Sequence, residues 1–564
     1  MEMKRTTIGG YLAERFKQLG LKHYFAIPGD YNLVLLDELL KHPELKMINC
    51  CNELNAGYAA DGYARACGLS ALILTYSVGG LSAINAVAGA YAEDLPMIVV
   101  SGAPNTNSEN ENQKLHHTLA EVDYDYVRRA FERITSSAVT IHHLSEAPVQ
   151  IDRAIEAAFS TRKPVYIEVA CNIAGLEVSF PSKRTFEHRL RSDAGALSDA
   201  LEHAADFLNS ATKPVLVAGA RIRSWGAAGA FRELADSCGY AVACMPNAKG
   251  FFPENHRHYI GTYWGPVSSP GCGDIVESSD AYLFAGPIFT DYTTTGCSAL
   301  VNPQKLVQVN PHSVRVAAQT YAHVAMPDFL GGLAGRLRSN STSFEAFSRI
   351  RGEEPPPKHP RDPNTPITTR LLFAQIQKIL SRDMALIAET GDSWFNSMRL
   401  KLPEGCRYEI QMQYGSIGWS VGAALGYELG SSDSTRTVAL IGDGSFQMTA
   451  QEVSTMIRYG LKPIIFLMNN GGYTIEVEIH DGPYNEIKNW NYAELMDVFN
   501  AGEGKGWGCR ATTEGELEDA IKKALVHDGP CLVEIKIDRD DCNKSLLSWG
   551  SRVASNNGRP PRVL

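Results

Sequence analysis

Residues 437–472 read TVALIGDGSFQMTAQEVSTMIRYGLKPIIFLMNNGG: two apolar, branched runs, each closed by glycine and polar residues, with one segment of helical length between them. Strands joined by a single helix pair in parallel, and a right-handed crossover brings both strand ends to the same edge of the sheet. Open α/β folds bind their ligands at that edge. The same punctuation recurs near the N-terminus, where ALILTYSVGG leads through SAINAVAGAYAEDLP into MIVVSGAP. Four apolar runs enter after a proline, LPMIVVSG, KPVYIEVA, KPVLVAGA and KPIIFLMN, and being apolar on both faces they read as central buried strands. The fold class is therefore α/β: central, mainly parallel sheets flanked by helices, with a repeated plan in the first and last parts that resembles a duplication.

The remaining composition limits what the chain does. With 564 residues it exceeds a single core, and two polar stretches, 179–199 and the proline-rich 352–366, read as linkers. They predict domains over 1–180, 190–345 and 360–545. The residues from 546 to 564 show no clear period and read as a tail that must lie on something to be ordered. A net charge of -10 argues against a general nucleic-acid binder, since phosphate contact needs concentrated Lys and Arg. No apolar stretch is long enough for a bilayer, and the N-terminus lacks a signal-like apolar segment, so no membrane partner and a cytoplasmic location are expected. The twelve cysteines show no CxxC and read as buried small thiols in a reducing compartment.

In the opening stretch, Asp443 offers a carboxylate, Asn470 an amide oxygen and Gly472 a backbone carbonyl. Gly442, Gly444 and Ser445 let the backbone approach a ligand where the next helix opens. Hard oxygen donors with room for phosphate oxygens suit Mg²⁺. The pairing of GDG with NN one βαβ unit later is the pattern of thiamine diphosphate enzymes. From IPGDY near the N-terminus to TIEVEIHDGPYN, the chain resembles the 2-oxo acid decarboxylases of that family, the pyruvate decarboxylases, closest to the bacterial type. The resemblance implies thiamine diphosphate and Mg²⁺ as cofactors. It also implies a small 2-oxo acid as substrate, and non-oxidative loss of CO₂ through a thiazolium ylid and an enamine, with an aldehyde as product.

Several roles are implied by that resemblance and by nothing else. Glu53, in NELNAGY, would activate the aminopyrimidine; pattern alone reads it equally well as a glutamate favoured by a helix N-terminus. Gly415 and Ile417, in YGSIGW, would contact and bend the cofactor, and Thr390, in AETGDSW, would meet the pyrimidine. Asp30, His116, His117 and Glu476 would form the acid-base set. Pattern alone makes Asp30 a turn residue, the histidine doublet a surface turn, and Glu476 the polar face of a strand alternating with Ile475 and Val477. Neighbouring side chains diverge, so the doublet is read as two imidazoles serving substrate and water separately, neither ligating the metal. Glu476 is expected to have a raised pKa if apolar neighbours and other carboxylates surround it. Tyr292, Trp394, Ile475 and Ile479 would line the substrate pocket, and a Trp there favours pyruvate over phenylpyruvate or indolepyruvate.

Because Glu53 and the diphosphate anchor fall in different domains, the resemblance implies sites shared between chains. The assembly is then at least a homodimer, with a homotetramer expected. Fungal relatives carry a regulatory cysteine where this chain reads AGARIR, so activation by that route is not expected. Two other outcomes stay open: decarboxylation of a bulkier 2-oxo acid, and an acetolactate-forming carboligase. A non-catalytic binding protein is disfavoured by intact Glu53, Asp443 and Asn470.

Overall fold

Residues 5–186, 190–351 and 362–561 are described by the computed structural model, which arranges them around three larger sheets and a short antiparallel ribbon of Arg5–Thr7 with Glu177–Ser179. The first sheet is parallel throughout and runs from edge to edge Lys46–Asn49, His23–Ala26, Ser70–Leu74, Met97–Ala103, Val165–Ala170, Ala138–Ile141. The third runs Arg407–Ile410, Met384–Ala388, Arg436–Gly442, Ile464–Asn469, Cys531–Lys536, Trp507–Ala511, again all parallel. Numbered in chain order within each sheet, both read 2-1-3-4-6-5. The two sheets thus share a whole topology, with the direction of winding reversing between their first and third strands. A crevice opens there, outside the carboxyl ends of the strands.

The proline-led runs become Met97–Ala103, Val165–Ala170, Pro214–Ala218 and Ile464–Asn469, buried at every residue. Between the two similar sheets in sequence lies a seven-stranded one. Five parallel strands, from Tyr259–Thr262 to Leu306–Asn310, continue into the antiparallel Ser313–Val316 and Gln319–Ala322. Its core is its own, whereas the first and third sheets share one.

That shared core centres on a seam between the helices Glu53–Cys67 and Trp419–Gly430. Their facing residues are small because the backbones nearly touch: an added Cβ would lie 1.7 Å from the Ala59 carbonyl oxygen at Gly426, and 2.1 Å from that of Ala423 at Gly62. Polar ties flank the seam. The indole of Trp419 donates to buried Asp61 at 2.7 Å, and Asp61 also accepts from Arg65 at 2.7 Å. Third-domain side chains grip the turn ahead of Glu53: Glu452 accepts from the Cys51 amide and Tyr459 from the Asn49 amide.

Three expectations change. The supposed tail contains a helix, Lys544–Asn557, capped by Asn543 and burying Leu546, Trp549, Gly550 and Val553. Those four sit at helical spacing along one face, a period masked in the sequence by interleaved serines and asparagines. The 179–199 stretch ends inside a helix that begins at Ala194 on an Asp193 cap; the other linker is described only from residue 362 onward. The cysteines are only partly buried: Cys51, Cys67 and Cys297 are exposed, although all twelve are free thiols. Among the described residues no helix is long and apolar enough to cross a membrane.

Candidate active site

The crevice of the third sheet is a cavity of about 350 Å³. Asp443 follows the strand Arg436–Gly442, opens the helix Asp443–Thr449 and is fully buried; its carboxylate accepts from the Gly444 amide at 2.8 Å and the Gly471 amide at 2.6 Å. Burial nevertheless pushes its pKa up to about 6, a charge waiting for a counter-ion. The two asparagines at the end of the next strand divide the work. Asn469 turns into the protein, donating to Glu534 at 2.7 Å and accepting from Asn489 at 2.8 Å. Asn470 faces the cavity, and its Nδ2 donates to Thr474 Oγ1 at 2.5 Å, which fixes the amide and leaves its oxygen free. With Gly472, also on the cavity wall, this is an oxygen donor set suited to Mg²⁺.

The opposite wall comes from the strand Met384–Ala388 and the loop before Trp419. Thr390 lines it with a buried hydroxyl that has no hydrogen-bond partner, the kind of orphan a bound ligand would satisfy. Ile417 projects from the same side as a half-buried apolar wedge, while Gly415 holds a left-handed turn (φ 65°) against the rings of Tyr292 and Trp394. Both loops are fastened by Glu389, a buried residue that the sequence analysis passed over. It accepts from the amides of Thr390, Gly418 and Ser420 and from the Ser420 hydroxyl. The signal was available: a carboxylate directly after the apolar strand MALIA has to be paired or functional. Asp392, likewise overlooked, accepts from Asn396 and from the Asn543 amide that opens the terminal helix, and burial raises it to about 6.

Residues 474–479 form a helix, not the strand their alternation suggested. Ile475 and Ile479, four apart, then share a face: Ile475 lines the cavity and Ile479 packs on the core beneath it. Glu476 stands exposed at the cavity's rim, outside the apolar surroundings expected for it. Trp394 departs from expectation as well. It is wholly buried in the core behind Tyr292 and Gly415, with its indole nitrogen unpartnered, and neither it nor Tyr292 lines the cavity of this chain. Tyr292 is held between Trp394 and Trp549, whose helix also packs on the helix 474–479.

The first sheet carries a second group at its own crevice. Glu53 opens its helix behind an Asn52 cap, with Gly79 close to its carboxylate. Asp30 lies in the turn after the strand His23–Ala26, and the histidine doublet reaches it from a loop beyond Ala103. The two imidazoles converge where divergence was expected. Nε2 of His116 lies 2.6 Å from one Asp30 oxygen and Nε2 of His117 lies 3.8 Å from the other. A left-handed backbone at His117 (φ 62°) cancels the alternation of neighbouring side chains. Tyrosines pin the loop: Tyr126 donates to the His117 carbonyl at 3.0 Å and the Tyr31 ring stacks on His116. None of Asp30, Glu53, His116 and His117 lines the third-sheet cavity of the same chain.

Comparison with known proteins matches both of these sheets to cofactor-binding domains. Three family models match: the thiamine pyrophosphate enzyme N-terminal TPP binding domain over residues 6–127, the central domain over 201–330, and the C-terminal TPP binding domain over 390–535. Pyruvate decarboxylase 3 of Arabidopsis thaliana is 52% identical over 98% of this chain and 94% of its own length. Pyruvate decarboxylase 2 of Oryza sativa subsp. japonica is also 52% identical, over 98% and 92%. A solved structure from Mycobacterium smegmatis, described as thiamin diphosphate-dependent, superposes with a TM-score of 0.75 at 19% identity, covering 95% of this chain and all of that one; it shows the fold.

Proposed function

The chain belongs to the pyruvate decarboxylases among the thiamine pyrophosphate enzymes, and on that premise we propose how its residues divide the conversion of pyruvate to acetaldehyde and CO₂. Bound thiamine diphosphate supplies the electron sink for the pair left behind when the carboxylate departs. Asp443, Asn470 and Gly472 would hold Mg²⁺, and the backbone at Gly442, Gly444 and Ser445 would receive the diphosphate. The unpartnered Thr390 hydroxyl, the Gly415 carbonyl and the Ile417 side chain would hold the rest of the cofactor. Glu53 holds a proton at the pyrimidine edge. Asp30, His116, His117 and Glu476 move protons to and from the substrate carbons and oxygen, and Ile475, Tyr292 and, behind it, Trp394 confine the pocket to a small acid.

The separation of two groups is the observation that carries this reading: Thr390, Ile417, Asn470, Gly472 and Glu476 line the third-sheet cavity, with Asp443 buried beside it, while Glu53, Asp30, His116 and His117 lie at the first sheet's crevice. We therefore assign each working site to two chains, one giving the cavity and Glu53 of the partner subunit completing it, so that the smallest active form is a homodimer. Two variants test this, assayed at a cofactor concentration at which neither alone turns over. Glu53→Gln and Asp443→Ala chains, unfolded together and refolded as a mixture, should recover about one quarter of the normal rate, because half the dimers are mixed and each has one intact site. Recovery indistinguishable from zero, with mixed dimers demonstrated, would place each site within one chain. Product analysis with pyruvate, thiamine diphosphate and Mg²⁺ should give acetaldehyde and CO₂ in equal amounts; acetolactate as the main product would overturn aldehyde release.

A further inference from the structure

The convergence of Asp30, His116 and His117 has a chemistry of its own. One ligand atom from each, two imidazole nitrogens and a carboxylate oxygen, lies within 4.8 Å of the other two. Ligands about 2.0–2.1 Å from a tetrahedral ion stand roughly 3.3 Å apart, so the observed 2.6 and 3.8 Å separations bracket that spacing. The scaffold is already set: both histidine carbonyls are within reach of tyrosine hydroxyls, Tyr31 at 3.4 Å and Tyr126 at 3.0 Å, and the His116 and His117 rings lie 4.7 Å apart. In the single chain the side chains have relative exposures of 54% for Asp30, 60% for His116 and 32% for His117, so none of the three is sealed by its own chain and a water can serve as the fourth ligand.

We propose that Asp30, His116 and His117 form a binding site for a borderline transition-metal dication, Zn²⁺ in the first instance, distinct from the oxygen site at Asp443 and selective against Mg²⁺. Imidazole nitrogens suit Zn²⁺ and Co²⁺, whereas Mg²⁺ takes oxygen ligands and keeps its waters. The ion replaces the proton shared by His116 and Asp30. Resting on the roles proposed above, its consequence is inhibition: the groups that move protons during turnover become ligands.

Binding can be read without turnover. Full-length protein freed of metal and cofactor by chelation is titrated with Co²⁺, and a visible absorption band of nitrogen and oxygen coordination is expected at one ion per chain, displaced by Zn²⁺ and unaffected by millimolar Mg²⁺. His116→Ala/His117→Ala should weaken cobalt binding at least ~100-fold, whereas Asp443→Ala should keep the band. Asp30→Asn, which preserves shape, serves as the second variant should the double one melt early, and it should weaken binding in the same direction. A band that survives in both variants overturns the site, as does thiolate-to-cobalt charge transfer, which would assign the ion to a cysteine, or loss of the band on adding Mg²⁺. In the holoenzyme Zn²⁺ should inhibit over the concentration range in which it displaces Co²⁺; binding without inhibition overturns the inhibitory role. A preparation that binds cobalt but never turns over pyruvate counts against the catalytic reading and not against the metal site.

Discussion

At the crevice of the third sheet the polar groups face inward. Asp443 is wholly buried, the Thr390 hydroxyl is sealed from water, and Asn470 is clamped by Thr474. At the matching crevice of the first sheet they face outward, with Asp30 and His116 more than half exposed. The strand order is the same in both, so topology alone decides neither outcome. What differs is the connections. After the first sheet's third strand the chain enters the helix Val78–Ala92 through a left-handed Ser77, and the long segment between Met97–Ala103 and Ala138–Ile141 brings the histidines back to Asp30. In the third sheet the corresponding turns, at 442–445 and 470–472, close on a cavity. One plan thus yields a half whose polar groups are enclosed and a half whose polar groups are exposed.

If that contrast is right, damage to the two sheets should have different kinetic signatures. The largest effect is expected of Glu53→Gln in the first sheet: cofactor still bound, judged by equilibrium dialysis, with kcat lowered about 10²–10⁴-fold. Loss of cofactor binding in that variant would break the contrast. Asp443→Ala in the third sheet should weaken Mg²⁺ and thiamine diphosphate binding by about 100-fold or more, and part of kcat should return at saturating cofactor. Gly426→Val, which drives a side chain into the Ala59 carbonyl, should cost about 3 kcal/mol in thermal or denaturant unfolding and depress both functions together, since the seam serves both sheets. The smallest effect is a pH dependence. Burial raises the Asp443 carboxyl to about 6, so its contribution to the stability of the metal-free protein is full below the ordinary carboxylate range and fades as pH rises through about 6. Mg²⁺ binds the deprotonated form, so the rise in melting temperature on adding Mg²⁺ should be slight near about pH 5 and grow to a plateau above about pH 7. A shift independent of pH would put the ion elsewhere.

How far the sequence reveals this can be followed residue by residue. Proline-led runs with no polar face announce buried central strands, because nothing but a two-sided parallel sheet can absorb them. The GDG and NN turns mark the edge where the cavity opens, since glycine and side-chain oxygens at strand ends have few structural uses. Short segments were harder. TIEVEI alternates like a strand, yet six residues cannot separate period 2 from period 3.6, and the helix is chosen by the Asn470–Thr474 bond and by the need to bury Ile475. The convergence of His116 and His117 depends on one backbone angle that no local pattern specifies. The burial of Trp394 behind Tyr292 depends on a residue about a hundred positions earlier and on a terminal helix 150 positions later. Contacts of that separation leave no periodic trace.

The glycine and alanine seam also sets how the chain should come apart when heated. Because the helices Glu53–Cys67 and Trp419–Gly430 share a core built from both ends of the sequence, the interior of the first sheet is completed by the third, although the far face of the third sheet carries a core of its own. The seven-stranded middle sheet has one. Calorimetry should therefore resolve cooperative units that ignore chain order: one transition in which the first and third sheets melt together, and a separable one for the middle sheet inserted between them.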